Sequence, residues 1–188
     1  DWNIALGMTA MGAGVTTGDG NVAIGKTAAD ALTSGGYNVA IGTDALGAST
    51  TGNQNVAIGG TAMGGADTTG HCNIAMGAAA MDALTTGADN VALGRDALGA
   101  ATTGCRNVAI GLTAMGVAVT TGKCNVAIGT CTMDALTSGN CNVAFGTDAL
   151  GAATTTCDNV AIGRATLGGS VNDGNFNVAL GTCSLGVG

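Results

Sequence analysis

The chain is predicted to fold as an all-β parallel β-solenoid, or β-roll, of eleven 17–18-residue repeats. Three observations lead there. The phrase Asn-Val-Ala-Ile-Gly, or a close variant, recurs from end to end. It begins at Asn3, Asn21, Asn38, Asn55, Asn73, Asn90, Asn107, Asn125, Asn142, Asn159 and Asn177. Glycine supplies 35 residues and proline none, which argues against collagen and against a Pro/Gly linker. Aromatic residues make up only 2%, too few for a core built from large side chains. A repeat this short cannot bury a core alone and must stack on its neighbours.

Each repeat divides into the same parts. Val and Ile of the opening phrase lie two apart, so they share one face of a strand and make the first apolar contribution. The Ala-Leu or Ala-Met pair that follows is the second. The phrase-closing glycine marks a tight bend or a positive φ. Thr-Thr-Gly and its polar successors read as the turn between coils. The recurring Asn belongs to a turn, where its side chain can bond backbone groups and the asparagines above and below. A helical solenoid needs longer periodic segments than 17 residues can hold.

No linker or composition shift divides residues 1–188, which read as one repeat domain and, because neither end carries a polar cap, as a segment of a longer fibre. Twelve acidic against five basic residues give a net charge of −7. That balance, with no basic patch, disfavours nucleic acid and anionic membranes as partners. No apolar run reaches the roughly 18 residues of a membrane span, so membrane insertion is not expected.

The spacings repeat as 18, 17, 17, so a 52-residue super-period overlies the short one. If three repeats made one coil, residues 52 apart would stack. Cys72 would then meet Cys124, Cys105 would meet Cys157 and Cys131 would meet Cys183, within disulfide range. Cys141 has no such mate and is the candidate for a free or interchain thiol. Against this, Asp44, Asp96 and Asp148 also recur at 52, as do Asp30, Asp82 and Asp134. A three-repeat coil would put those like charges on successive rungs. A one-repeat coil separates them by about 14 Å and sets Cys124 beside Cys141 instead. The aspartates tilt the choice towards one repeat per coil, and both remain open here. Seven cysteines without a zinc pattern suggest an oxidising, extracellular setting.

Enzyme signatures are thin, and no catalytic, cofactor or metal residue is assigned. Gly20 to Thr27 fits the phosphate-binding pattern GxxxxGK[ST], but its middle is the phrase used elsewhere as a strand. His71 is the only histidine and Cys72 beside it completes no zinc set. The Thr doublets, such as Thr50-Thr51 and Thr102-Thr103, read first as turn residues. On a stapled solenoid they also allow an ice-binding surface, although adjacent threonines point to opposite faces.

The phrase Asn-Val-Ala-Ile-Gly-x-x-Ala-Leu resembles the head repeats of trimeric autotransporter adhesins, the YadA-like head, and the longer repeats of phage and viral tail fibres. The likeness covers the whole chain. It implies a β-roll in which three identical chains pack into a rigid extracellular or virion filament for attachment to a cell-surface or matrix receptor. The chain departs from the adhesin pattern in its repeat length, its cysteines and its super-period. Two alternatives stand beside it: a disulfide-stapled ice-binding solenoid, and a subunit that polymerises end to end.

Overall fold

A computed structural model describes residues 2–12, 16–169 and 174–185. Within them eleven three-residue strands, β1 (Ile4–Leu6) to β11 (Val178–Leu180), form one sheet in strict chain order. Between them lie β2 (Val22–Ile24), β3 (Val39–Ile41), β4 (Val56–Ile58), β5 (Ile74–Met76), β6 (Val91–Leu93), β7 (Val108–Ile110), β8 (Val126–Ile128), β9 (Val143–Phe145) and β10 (Val160–Ile162). Each strand pairs in parallel with the next, Val on Val and Ala on Ala. One repeat is therefore one coil, a β-solenoid, and the coils are numbered below by their strands. Rungs spaced at about 4.8 Å make a rod of roughly 50 Å.

Three short segments close each coil, and left-handed backbone makes the corners. In coil 4 the corner residues are Gln54 (φ 56°), Thr61 (φ 52°) and Met63 (φ 51°), and the same three places recur in its neighbours. The phrase-closing glycine adds a fourth bend; Gly94 has φ 137°. A Cβ there would lie 2.4 Å from the carbonyl oxygen of Gly111 on the next coil, so only glycine allows the coils to approach.

The interior differs from the expectation in one respect. Along each strand it is the central alanine that points inward: Ala23, Ala40, Ala57, Ala92 and Ala109 are fully buried. The flanking Val and Ile point outward, because alternate residues of a strand face opposite sides. The second apolar pair does fill the core, as with Ala62 and Met63 or Ala97 and Leu98. A coil this narrow leaves room for one alanine where the strand faces the core.

The super-period is a packing cycle rather than a coil. Successive coils bury Met63 with Thr68, Met81 with Leu84, and Leu98 with Ala101. The next three bury Met115 with Thr120, Met133 with Leu136, and Leu150 with Ala153. The bulky Leu layer is thus followed by an Ala layer, and the 18-residue coil carries a buried threonine. That hydroxyl donates to the carbonyl of the following layer, Thr68 to Leu84 at 2.8 Å and Thr120 to Leu136 at 3.0 Å. Alternating large and small side chains keep a thin core filled.

Candidate functional site

The asparagines form a continuous internal ladder. Oδ1 of Asn21 accepts from the backbone N–H of Asn38 at 2.9 Å and from its Nδ2 at 3.1 Å. Nδ2 of Asn38 also donates to the carbonyl of Gly52 at 2.7 Å. The pattern runs through Asn3, Asn55, Asn73, Asn90, Asn107, Asn125, Asn142, Asn159 and Asn177. From Asn21 to Asn159 these side chains are buried, so each rung is held by a satisfied polar group. The role is structural and offers nothing to solvent.

Solvent meets something else. Val and Ile of every strand build two outward columns, with Ile74 at 39% exposure and Ile162 at 40%. Phe145, Met76 and Leu93 take the Ile place in their coils. No polar residue interrupts the stripe from Ile4 to Leu180.

Two edges bound it. On the amino-terminal side of the strands, just before the asparagines, runs an exposed corner that includes Asp19, Tyr37, His71, Cys72, Asp89 and Asp158. On the carboxyl-terminal side, just after the glycines, runs an exposed column that includes Lys26, Thr43, Arg95, Leu112, Thr130 and Arg164. The two ion pairs found among the described residues stay on one edge each: Arg95 with Asp96 at 3.5 Å, and Arg106 with Asp89 at 4.0 Å.

The cysteines are free thiols. Cys72 and Cys124 share the corner column but belong to coils 5 and 8. Cys105 and Cys157 likewise stand three coils apart, as do Cys131 and Cys183, so each pair is separated by about 14 Å. These six thiols are not brought together in the pairs that a three-repeat coil requires, because each coil uses one repeat. Cys141 instead has a neighbour: it follows Cys124 by one coil in the same column. Burial, then the Asp158 carboxylate, then the Cys124 and Cys157 sulfurs push the Cys141 thiol up from its ordinary value.

Gly20 to Thr27 contains strand β2, not a loop leading to a helix. His71 and Cys72 are exposed at the corner, and among the described residues no three His, Cys, Asp or Glu side chains gather as metal ligands. No helix among them is long and apolar enough to cross a membrane. Thr51, Thr86 and Thr103, the second residues of their Thr doublets, are exposed, whereas Thr69 is half-buried.

The outward stripe was hidden in the sequence because Val-x-Ile reads equally well as core. An inward alanine between two β-branched residues is the signal that could have revealed it. Comparison of the chain with protein-family models, with curated proteins and with solved structures returns no match.

Proposed function

We propose that the chain is a non-enzymatic segment of a rigid extracellular or virion fibre, in which three copies lie side by side and carry surface attachment. The observation that supports this is the uninterrupted outward Val/Ile stripe. It measures roughly 50 by 10 Å, about 500 Å², which is at the upper end for the largest apolar patch of a monomer. Three such stripes turned towards a common axis would bury about 1,500 Å², the size of a standard specific interface. Resemblance to adhesin and tail-fibre repeats points to the same assembly and supports the extracellular or virion setting and the receptor.

Mechanically, the parallel backbone ladder and the asparagine ladder both run along the axis, so load on the fibre is shared by every rung. Burying the stripe removes the surface that would otherwise aggregate. The ice-binding alternative has less support, since half-buried positions such as Thr69 interrupt the exposed threonines. End-to-end polymerisation would pair β11 of one chain with β1 of the next and leave the stripe uncovered.

Sedimentation equilibrium tests the reading. Three chains of 17.7 kDa give a particle of about 53 kDa. Ile110→Glu together with Ile128→Glu, on the outward face, should return 17.7 kDa without loss of the β-sheet circular dichroism signal. A wild-type mass of one chain, or a trimer indifferent to these substitutions, would overturn it.

A further inference from the structure

The two edges of the stripe carry opposite charges at matching heights. Among the described residues, the aspartates on the amino-terminal edge are Asp19, Asp89 and Asp158, belonging to coils 2, 6 and 10. On the carboxyl-terminal edge the cations are Lys26, Arg95 and Arg164, belonging to the same coils 2, 6 and 10. All six side chains are exposed. This four-coil rhythm does not follow the 52-residue super-period, which has a rhythm of three coils, so duplication of a 52-residue block does not produce it.

Within one chain these charges cannot meet. Asp89 and Arg95 stand at opposite ends of a strand, roughly 15–20 Å apart, and the same holds for the other two pairs. Arg95 turns to Asp96 instead. A second copy removes the difficulty. When copies stand parallel around a common axis with their stripes inward, the amino-terminal edge of one meets the carboxyl-terminal edge of the next at the same height. Asp19 then faces Lys26, Asp89 faces Arg95 and Asp158 faces Arg164. Of the other edge cations, Arg106 on coil 7, which already pairs with Asp89 of its own chain at 4.0 Å, would face Leu112, and Lys123 on coil 8 would face Thr130, so no like charges collide.

An antiparallel arrangement fails the same test. A twofold axis along the strands would set coil 2 against coil 10 and coil 6 against itself, with like edges together. Asp19 would confront Asp158, Lys26 would confront Arg164, and Asp89 and Arg95 would each confront their own copies. Six like-charge contacts in an antiparallel pair would stand in place of the three attractive pairs at each interface of the parallel ring, and such juxtapositions suppress a wrong arrangement.

We propose that the stripe and its edges are a docking surface for further copies of this chain in parallel, in-register array, clasped by the rung-matched pairs Asp19–Lys26, Asp89–Arg95 and Asp158–Arg164. The inference rests on the trimeric reading above and adds polarity and register to it. Exposed pairs of this kind give modest affinity and strong selectivity. They would keep all fibres pointing one way and prevent slippage by one coil, which the nearly uniform Val/Ile columns alone would permit.

Charge reversal in two halves provides the test. One variant carries Asp19→Lys, Asp89→Arg and Asp158→Arg; a second carries Lys26→Asp, Arg95→Asp and Arg164→Asp. A third combines all six changes. Each is examined by sedimentation at low and high salt, with circular dichroism as the check on folding. The expected result is that each half-variant raises the concentration at which trimers dissociate by about tenfold at low salt, that salt narrows the difference, and that the six-fold variant recovers wild-type assembly. Equal mixtures of the two half-variants should recover it only in part, because a ring of three must set two like variants side by side and so keeps one repulsive interface beside two matched ones. Wild-type trimers with half-variants that assemble equally well would overturn the clasp and leave the trimer standing. A wild-type monomer would overturn the trimer itself.

Discussion

Oδ1 of Asn107 accepts two hydrogen bonds from Asn125 on the next coil, one from its backbone N–H at 2.9 Å and one from its Nδ2 at 3.1 Å. Nδ2 of Asn107 in turn donates to the carbonyl of Gly122 at 2.9 Å. Both asparagines are fully buried. Asn107→Ala would therefore strand the Asn125 N–H and the Gly122 carbonyl without water. The expected cost is about 3 kcal/mol, read as a shift in the denaturation midpoint. A loss below about 0.5 kcal/mol would mean that the ladder carries little of the stability.

Two glycines one column apart should respond in opposite ways. At Gly94 the φ of 137° and the 2.4 Å approach of the Gly111 oxygen exclude any side chain. Gly60 is exposed, and a Cβ added there meets nothing within 4 Å. Gly94→Ala should cost about 3 kcal/mol or more, and Gly60→Ala should be neutral or slightly stabilising. Thermal denaturation of the two variants checks the contrast. Similar losses at both sites would contradict the stacking of glycine on glycine between coils.

Acid should strengthen this fold over part of the pH range. Burial raises the Asp82 carboxyl above its usual value, the Gly65 N–H opposes it, and Asp96 adds to the rise. Burial and then Asp148 raise Asp134 in the same way. A carboxyl whose folded value is raised binds its proton more tightly in the native state. Its contribution is complete below the ordinary aspartate range and is lost as pH climbs through the raised value. Urea midpoints should thus increase between neutral pH and about pH 4, as far as these two groups control them. Asp82→Asn with Asp134→Asn should flatten that rise and increase stability at neutral pH. An unchanged pH profile would show that the two groups do not govern it.

The thiol pair makes a chemical prediction. Cys124 and Cys141 occupy adjacent rungs in the same corner conformation, with φ of 60° and 58°. Rungs about 4.8 Å apart fall within the Cα range of a disulfide. Cys105 and Cys157 are turned away, their sulfurs donating to the carbonyls of Thr103 and Thr155. Oxidised glutathione should therefore link Cys124 to Cys141 within one chain. One thiolate attacks the glutathione disulfide and releases a glutathione thiol; the second attacks the mixed disulfide and releases the other. Because the Cys141 thiol is pushed up, the reaction should accelerate with rising pH. Peptide mass spectrometry without reduction should find this link first and a raised melting temperature with it. A first link between Cys105 and Cys124, or between Cys141 and Cys157, would contradict the geometry.

The fold was legible because eleven asparagine phrases at fixed spacing leave few architectures for a thin core. The asparagine ladder and the phrase-closing glycine bends were legible for the same reason. Three left-handed corners per coil were not, since residues such as Thr61, Met63 and Cys72 carry no preference for that backbone and are held there by the stacking around them. The 52-residue period pointed to cysteine pairs because duplication and geometry write the same pattern in a sequence. Only the packing of Leu84 against the layer of Ala101 shows what the period does. The charge matching of Asp89 with Arg95 was invisible until one repeat was known to be one coil, since only then do both share a rung.

Small-angle X-ray scattering of the whole chain tests the central claim most directly, because it gives mass and length together. Side-by-side parallel copies predict about 53 kDa, three chains of 17.7 kDa, in a particle no longer than roughly 60 Å, the length of one stack. A particle of 17.7 kDa with that length would contradict the association, and a mass that grows in step with length would replace it with end-to-end stacking.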